Sequence, residues 1–147
     1  MRLVLLSDIH ANVTALEAVL KDIEASGAFD AFIFLGDLVN YGPRPNETIG
    51  IIKGLPQEKI LVNLWGNHEY SIFGGSLERF ATDRGRAVLQ YTNAMLTQES
   101  RAYLDMHMVH EGYDEQMFDG RQTLFMHGDK DDPYWGKFGV EKMKDEQ

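Results

Sequence analysis

The first half of the chain carries three short apolar runs, and each ends abruptly in polar residues or glycine. The runs cover residues 3–6, 31–35 and 60–65. Continuous apolar runs of this length are typical of strands that are covered on both faces. The pattern therefore predicts three buried strands, each of which opens directly onto polar side chains.

The segments between these strands have the periodicity of helices. Asn12 is a good N-cap, and apolar residues recur on one helical face from Leu16 to Ile23, before a stop near Gly27. Residues 46–53 predict a short helix that begins beside Pro45. Right-handed crossovers make such strands parallel and bring their carboxyl ends to one edge of the sheet. Ligand sites of open α/β sheets lie at that edge.

The second half predicts two more helices and a β-hairpin. Thr82 and Thr97 are expected to cap helices over residues 83–96 and 98–108. Residues 113–118 and 121–126 flank Asp119-Gly120, a pair favoured in type I′ hairpin turns. A charged, short helical tail is expected over residues 140–147. The predicted fold class is α/β, a parallel βαβαβ core plus a β-hairpin, in one domain over residues 1–147.

Composition narrows the classes of function. The chain has 147 residues, and 44% of them are hydrophobic, which fits one domain with a real core. Its 14 Lys and Arg against 23 Asp and Glu give a net charge of −9, which disfavours stable nucleic-acid binding. A phosphate substrate remains compatible with this charge because bound divalent cations reverse the local sign. There is no cysteine, which excludes disulfides and thiolate metal sites.

No apolar run approaches the length of a signal peptide core or of a membrane span. We therefore expect a cytoplasmic protein without a membrane partner.

The polar clusters after the first two strands contain candidate metal ligands. In extended chain, residues two apart face the same side, so Asp8 and His10 are expected to point together. A surface turn with an unrelated histidine is an equally good interpretation of these residues alone. After the second strand, Gly36 permits a sharp turn that puts the Asp37 carboxylate at the strand end.

The third cluster is the tetrad of residues 66–69, Gly-Asn-His-Glu. Asn67 is a modest metal ligand, His68 is a good acid or base, and Glu69 beside it can hold the imidazole in one orientation. Taken alone, the tetrad is better explained as a strand-to-helix turn with Asn67 as N-cap. Because neighbouring parallel strands lie about 4.8 Å apart, the three clusters together could surround two ions about 3.5–4 Å apart.

The remaining histidines and several arginines are weaker candidates. A lone histidine after a strand is more often structural, but His127 is the remaining candidate for a site that needs nitrogen ligands. His107 and His110 lack an acidic or glycine-rich setting, so a structural or surface role is the better interpretation. Three arginines could reach a phosphate, but charges on helices are usually solvated, and we assign them no role: Arg79, Arg84 and Arg86.

Four ordered motifs resemble those of the calcineurin-like metallophosphoesterases: Asp8-Ile9-His10, Gly36-Asp37, Gly66-Asn67-His68-Glu69 and His127-Gly128. The Ser-Asp-Ile-His start and the Gly-Asp-Leu-Val-x-Tyr-Gly-Pro loop most resemble a small bacterial and archaeal phosphodiesterase-like group. The resemblance implies the N-terminal part of a β-sandwich flanked by helices. It also implies a metal-dependent hydrolase of phosphodiester or nucleotide-type phosphate esters.

The resemblance further implies a dinuclear metal site with five ligands: Asp8, His10, Asp37, Asn67 and His127. Asp37 would bridge the two metals, and a hydroxide held between them would attack phosphorus. His68 would be the general acid that contacts the phosphate, with Glu69 as its orienting partner. Oxygen and nitrogen ligands without thiolate favour Mn, Fe, Zn or Ni, with Mn expected first.

Asn40 and Tyr41 occupy the loop in which protein phosphatases carry an arginine, and they are the candidate substrate contacts. For Tyr41, packing on the rim of the site is at least as good an interpretation. The expected partner is a small phosphate ester.

One family motif has no counterpart here. The family carries a further Gly-His-x-His after the His-Gly motif, whereas none of the five histidines of this chain lies beyond His127. We therefore expect the domain to be incomplete at its C-terminus, with each metal short of one protein ligand. We also expect an unpaired sheet edge that permits homo-oligomers. The alternative is a catalytically impaired, truncated phosphoesterase that acts as a metal-binding or interaction module.

Overall fold

The structure is a computed structural model that describes residues 1–75, 77–80, 82–118 and 120–137. Its first half is a βαβαβ unit with these bounds: β1 Leu3–Leu6, α1 Val13–Ala25, β2 Ala31–Phe34, α2 Pro45–Gly54 and β3 Ile60–Asn63. The three strands are parallel in the order β1-β2-β3, with Leu3 opposite Ala31. The predicted parallel core is therefore confirmed.

The helices begin at the predicted caps. Asn12 Oδ1 accepts a hydrogen bond from the Ala15 backbone N–H at 3.1 Å, and Pro45 is the first residue of α2. The second half contains α3 (Asn67–Ile72), α4 (Asp83–Met95) and α5 (Gln98–Met106). Thr82 and Thr97 cap α4 and α5 through their hydroxyl oxygens, as predicted.

Both β3 and α5 end earlier than predicted, because the segment that follows α5 pairs with the end of β3. After α5 the chain turns to lie beside the end of β3, where Val109 N–H donates to the Asn63 carbonyl at 2.8 Å and Trp65 N–H donates to the Val109 carbonyl at 2.9 Å. Leu64 consequently forms an isolated parallel bridge with Val109. Backbone pairing with another segment ended the helix before residue 107.

The predicted hairpin consists of β4 (Tyr113–Phe118) and β5 (Arg121–Met126), which pair antiparallel. Gly120 has a φ of +73°, as a type I′ turn requires, while Asp119 lies outside the described residues. The expected tail over residues 140–147 lies outside them as well. Phe118 and Phe125 of the hairpin pack with Ile33 and Val62 of the parallel sheet.

The main core lies on the other face of the parallel sheet, between the sheet and the helices. Its fully buried members include Phe34, Leu38, Ile49, Ile52 and Leu104. The hairpin covers its own face of the sheet only in part, since Leu5 of β1 is 55% exposed. No helix within the described ranges is both long and apolar enough to cross a membrane.

Candidate metal centre

The loops that follow β1 and β2 are joined to each other by their backbones. Asp8 N–H donates to the Gly36 carbonyl at 3.1 Å, and His10 N–H donates to the Asp37 carbonyl at 2.9 Å. Gly42 N–H closes the second loop by donating to the His10 carbonyl at 2.9 Å. These bonds place the first two polar clusters side by side at the carboxyl edge of the sheet.

The two loops hold all the non-glycine residues with positive φ in the described ranges: Asp8, His10, Ala11, Asp37, Asn40 and Tyr41. Such strain persists only where the surroundings impose it, and it clusters at functional sites. It also corrects the prediction that Asp8 and His10 lie on extended chain. Their side chains meet, with Asp8 Oδ1 3.6 Å from His10 Nε2, because the backbone turns left-handed at both residues.

Glycines let the second and third clusters touch. A Cβ on Gly36, where φ is +94°, would lie 2.5 Å from the Gly66 backbone nitrogen. A Cβ on Gly66 would overlap the Asp37 carboxylate. The loop after β2 and the start of α3 can therefore approach each other only without side chains at these two positions.

Asp37 is the centre of the arrangement. Its Oδ2 lies 3.8 Å from His10 Nε2, 3.7 Å from His68 Nε2 and 3.6 Å from His127 Nε2. Its Oδ1 accepts a hydrogen bond from the His68 backbone N–H at 3.0 Å. Burial, followed by the negative charge of Glu69, raises the pKa of the Asp37 carboxyl from 3.8 to about 9. An ionised Asp37 therefore requires positive charge beside it, which bound cations would supply.

Two of the three histidines present metal-ligand tautomers. The His10 Nδ1–H donates to the Val39 carbonyl at 3.2 Å, and the His127 Nδ1–H donates to the Leu35 carbonyl at 2.7 Å. Because a carbonyl can only accept, each neutral ring has its hydrogen on Nδ1 and a free lone pair on Nε2. Backbone carbonyls commonly orient metal-bound histidines in this way.

The free lone pairs face other acceptors instead of donors. His127 Nε2 lies 3.0 Å from Asn67 Oδ1, and His10 Nε2 faces the carboxylates of Asp8 and Asp37. Two ligand atoms bound about 2.1 Å from one cation and at right angles to each other lie about 3.0 Å apart. Within the described ranges no Lys or Arg forms an ion pair with Asp8 or Asp37. The residues therefore fit divalent cations.

His68 has the opposite tautomer. The Thr92 hydroxyl donates to Asn40 Oδ1 at 2.9 Å, which turns the Asn40 amide nitrogen toward His68 Nδ1 at 2.5 Å. Nδ1 therefore accepts, and the hydrogen of the neutral ring is on Nε2, facing Asp37. By distance alone His10, Asp37 and His68 could hold one ion, since their ligand atoms lie within 4.8 Å of one another. With its hydrogen on Nε2, His68 presents an N–H and not a lone pair to the centre.

The surroundings of His68 also determine the charge of its ring. Burial, followed by the neighbouring His10 and His127, lowers the pKa of the His68 imidazole from 6.5 to about 3. The ring is therefore neutral at physiological pH, and its Nε2–H is a hydrogen-bond donor without a full positive charge.

Two predictions about individual side chains need correction. Asn40 is completely buried between Thr92 and His68, so it cannot touch a substrate and instead orients His68. Glu69 was expected to orient the imidazole, but its carboxylate accepts from three backbone N–H groups, those of Asp37, Val39 and Gly66. Glu69 therefore holds the loops in place. The hydrogen-bond partner of the His68 ring is Asn40.

The other expected substrate contact, Tyr41, does lie at the rim. Its ring centroid is 4.8 Å from that of His10 and 4.7 Å from that of His68, both edge to face, and the residue is 55% exposed. Phe80 contacts His68 from another side at 4.9 Å. Aromatic rings therefore form two walls of the centre.

Residues outside the predicted set divide into two kinds. His107 stacks on Tyr103 at 5.2 Å and His110 stacks on Trp65 at 3.8 Å, both away from Asp37. Thr92 belongs to the centre through Asn40, yet sequence reasoning missed it. The only local signal was a polar residue three positions after buried Leu89 on α4.

Comparisons with known proteins agree with the motifs. The family model of the calcineurin-like phosphoesterases matches residues 1–146. The uncharacterized protein MJ0912 of Methanocaldococcus jannaschii is 31% identical over 128 residues, which cover 87% of this chain and 49% of that protein.

Solved structures share the fold. A metallophosphoesterase from Sphaerobacter thermophilus is 31% identical with a TM-score of 0.67, covering 94% of this chain and 51% of its own. The hypothetical protein PH1004 from Pyrococcus horikoshii OT3 is 25% identical with a TM-score of 0.79. The match covers 92% of this chain and 58% of that protein. The chain thus spans about half the length of the relatives it matches.

Proposed function

Because this chain belongs to the calcineurin-like phosphoesterase family, we propose that the centre around Asp37 binds two divalent metal ions and hydrolyses phosphate esters. The observation that carries the proposal is the opposed tautomers of the histidines. His10 and His127 turn free lone pairs toward the centre, whereas His68 turns an N–H toward it. Ligand-type and donor-type rings around one buried carboxylate are what metal-assisted hydrolysis needs.

The proposed ligands form two pairs around Asp37: Asp8 with His10, and Asn67 with His127. When bound, the two cations would withdraw charge from the phosphoryl oxygens and lower the pKa of water toward neutrality. Oxygen and imidazole ligands suit Mn, Fe, Zn or Ni, and we propose Mn. Asp8 is the most exposed of the five proposed ligands, with 57% of its side chain accessible, so the substrate would enter on its side.

We assign to His68 the stabilisation of the leaving oxygen. Its Nε2–H can donate a hydrogen bond to an oxygen that gains negative charge, and the neutral ring needs no rearrangement to do so. Acting as a general acid would require hydrogen on both ring nitrogens. With the Asn40 amide nitrogen directed at Nδ1, the ring is a hydrogen-bond donor.

We propose phosphodiester and nucleotide-type esters as substrates before phosphomonoesters. Tyr41 supports this order because its exposed ring stands beside His68 and offers an aromatic surface to a base or aryl group.

The test is Mn-dependent hydrolysis of bis(4-nitrophenyl) phosphate together with the metal content of the purified chain. We expect two metals per chain, and we expect Asp37→Asn and His68→Ala to abolish or strongly reduce hydrolysis. His110→Ala, which changes a ring stacked on Trp65 outside the centre, is the matched control and should keep the wild-type rate. Metal binding without hydrolysis would support the alternative, a metal-binding or interaction module. The absence of both bound metal and hydrolysis would refute the proposal.

A further inference from the structure

A cavity of about 350 Å³ adjoins the centre, lined by Tyr41, Thr82, Arg84, Gly85 and Val88. Tyr41 connects the cavity to the centre, because the same ring lies edge to face against His10 and His68. A molecule bound at Asp37 and extending past His68 would therefore reach this cavity across Tyr41. A volume of this size accommodates an aryl or nucleoside group.

Arg84 differs from its two neighbouring arginines. Arg79 donates to the Asp132 carboxylate at 2.6 Å and lies over the Trp135 ring at 4.9 Å. Arg86 pairs with Asp83 and donates to the Phe80 carbonyl at 2.5 Å. Within the described part of the chain, Arg84 makes no hydrogen bond or ion pair, although the protein carries a net charge of −9. An unpaired guanidinium at the wall of a cavity offers an anion five N–H donors.

We propose that this cavity receives the leaving group of the ester and that Arg84 binds an anionic substituent on it. The substrate class would then be phosphate esters or anhydrides whose leaving group carries a second negative charge, such as a nucleoside phosphate. This inference rests on the proposed function, since it takes phosphorus to be bound at Asp37.

The position of His68 indicates which half of the substrate enters the cavity. Hydrolysis joins the oxygen of water to phosphorus and breaks the bond from phosphorus to the leaving oxygen. One proton of water ends on the leaving group and the other is released. His68 presents its Nε2–H for the leaving oxygen, and Tyr41 packs directly against His68. A leaving oxygen bound to His68 would have Tyr41 beside it, so this inference places the leaving group on the Tyr41 side, toward Arg84.

The negative charge around the centre explains why an anionic substituent on the leaving group would need Arg84 for binding. The centre itself is rich in carboxylates, and only bound cations make it attractive to a phosphoryl group. A second negative charge farther along the substrate lies beyond those cations and would be repelled by the acidic surface. The guanidinium of Arg84, an exposed residue at the cavity wall, would offset this repulsion and favour substrates that carry the charge.

The test uses two esters of nearly equal shape, 4-carboxyphenyl phosphate and its uncharged analogue 4-carbamoylphenyl phosphate, with Mn. We expect Arg84→Gln to raise KM for the carboxylate ester about fivefold to tenfold, as the loss of a charge-assisted hydrogen bond would, with kcat within about twofold. KM for the carbamoyl ester should not change. Arg121→Gln on the hairpin is the matched control and should leave both esters unaffected.

A binding measurement separates this inference from the proposed function. Ligand-observed NMR with 4-hydroxybenzoate and 4-hydroxybenzamide requires neither metal nor turnover. We expect the wild-type chain to prefer the benzoate, and Arg84→Gln but not Arg121→Gln to remove that preference. Absence of hydrolysis with the binding preference intact would refute only the proposed function. Equal binding of both compounds, or equal KM effects in both variants, would overturn the role of Arg84.

Discussion

At the scale of single residues, hydrogen-bond partners outside the centre determine what each histidine can do. The backbone carbonyls of Val39 and Leu35 take the Nδ1–H of His10 and His127, whereas Asn40 gives a hydrogen to Nδ1 of His68. Rings of the same chemistry around Asp37 thereby present two free lone pairs and one N–H donor to the centre. The hydrogen-bond partner of Nδ1 therefore determines whether each ring turns a lone pair or an N–H toward the centre.

The first prediction concerns the tautomer of His68. In Asn40→Asp, the new carboxylate can only accept, so the hydrogen on the ring should move to Nδ1 or be present on both nitrogens. Nitrogen-15 NMR of the imidazole measures this directly, and the wild-type ring should be protonated at Nε2 alone. Asn93→Asp, an exposed position on α4, should leave the His68 signals unchanged. An Nδ1-protonated wild-type ring would contradict the proposed chain from Thr92.

The second prediction concerns the close approach at Gly66. Gly66→Ala should destabilise the fold by roughly 1–3 kcal/mol, because the added methyl group overlaps the Asp37 carboxylate and the structure must shift. Gly50→Ala in α2 is the matched control, since its Cβ would meet nothing within 4 Å, and it should stabilise by about 0.4–1 kcal/mol. Urea unfolding measures both changes. A neutral Gly66→Ala would show that the contact relaxes without cost.

At the scale of elements, the start of α3 ties the loops together. The tetrad that predicted a metal site also begins a helix, but its N-cap is Gly66 and not the expected Asn67, and Glu69 lies in the first turn. The Glu69 carboxylate reaches back to Gly66 N–H at 2.9 Å and across to the backbone of Asp37 and Val39 at 2.9 and 3.1 Å. The strand-to-helix turn and the site are therefore the same structure, and the two interpretations do not compete.

The third prediction tests this connection. Glu69→Gln replaces a carboxylate that accepts three backbone hydrogen bonds with an amide that has only one acceptor oxygen. We expect the free energy of unfolding to fall by about 1.5–3 kcal/mol, and Mn affinity to fall because Asp37 is no longer held in place. Glu58→Gln, which lies on an exposed turn, should change neither quantity. Calorimetric titration measures Mn affinity, and urea unfolding measures the free energy of unfolding. If neither quantity changed in Glu69→Gln, the role of Glu69 in holding the loops would be contradicted.

At the scale of the whole molecule, the chain is acidic and two of its carboxylates, Asp8 and Asp37, lie at the centre. Within the described ranges neither of them forms an ion pair with a Lys or Arg. With a net charge of −9, the folded state repels itself, and cations at the centre would offset part of that repulsion. The sheet leaves β1 at one edge and Leu5 exposed beside the hairpin. Association through this edge stays a prediction.

The fourth prediction is that Mn stabilises the fold. A ligand that binds only the native state at one hundred times its Kd adds about 2.7 kcal/mol, so Tm should rise on addition of Mn and fall back with a chelator. Asp37→Asn should lose most of the shift because it removes the carboxylate at the centre. Asp22→Asn, on the exposed face of α1, is the matched control and should keep the shift. Equal shifts in both variants would place the metal elsewhere.

Local sequence patterns were sufficient to predict the elements and the sheet edge at which the candidate site lies. Apolar runs, helical periodicity and the capping residues Asn12, Thr82 and Thr97 act locally, so they predicted the sequence of strands and helices along the chain, the helix starts and the hairpin. Parallel strands then required the polar clusters to meet at their carboxyl ends. That reasoning predicted that Asp8, His10, Asp37 and Asn67 would gather at one place, without any knowledge of their hydrogen bonds.

Which atoms face the centre depends on contacts that form only in the folded protein. The Asn40 side chain could have pointed to solvent, and its burial depends on Thr92, 52 positions later in the sequence. The ring orientations of His10 and His127 depend on carbonyls of Val39 and Leu35, which belong to other segments. Periodicity describes which face of an element is buried, whereas the direction of a hydrogen bond depends on the partner that packing brings to it. Long-range packing, which no local pattern encodes, therefore determined the chemistry of each side chain.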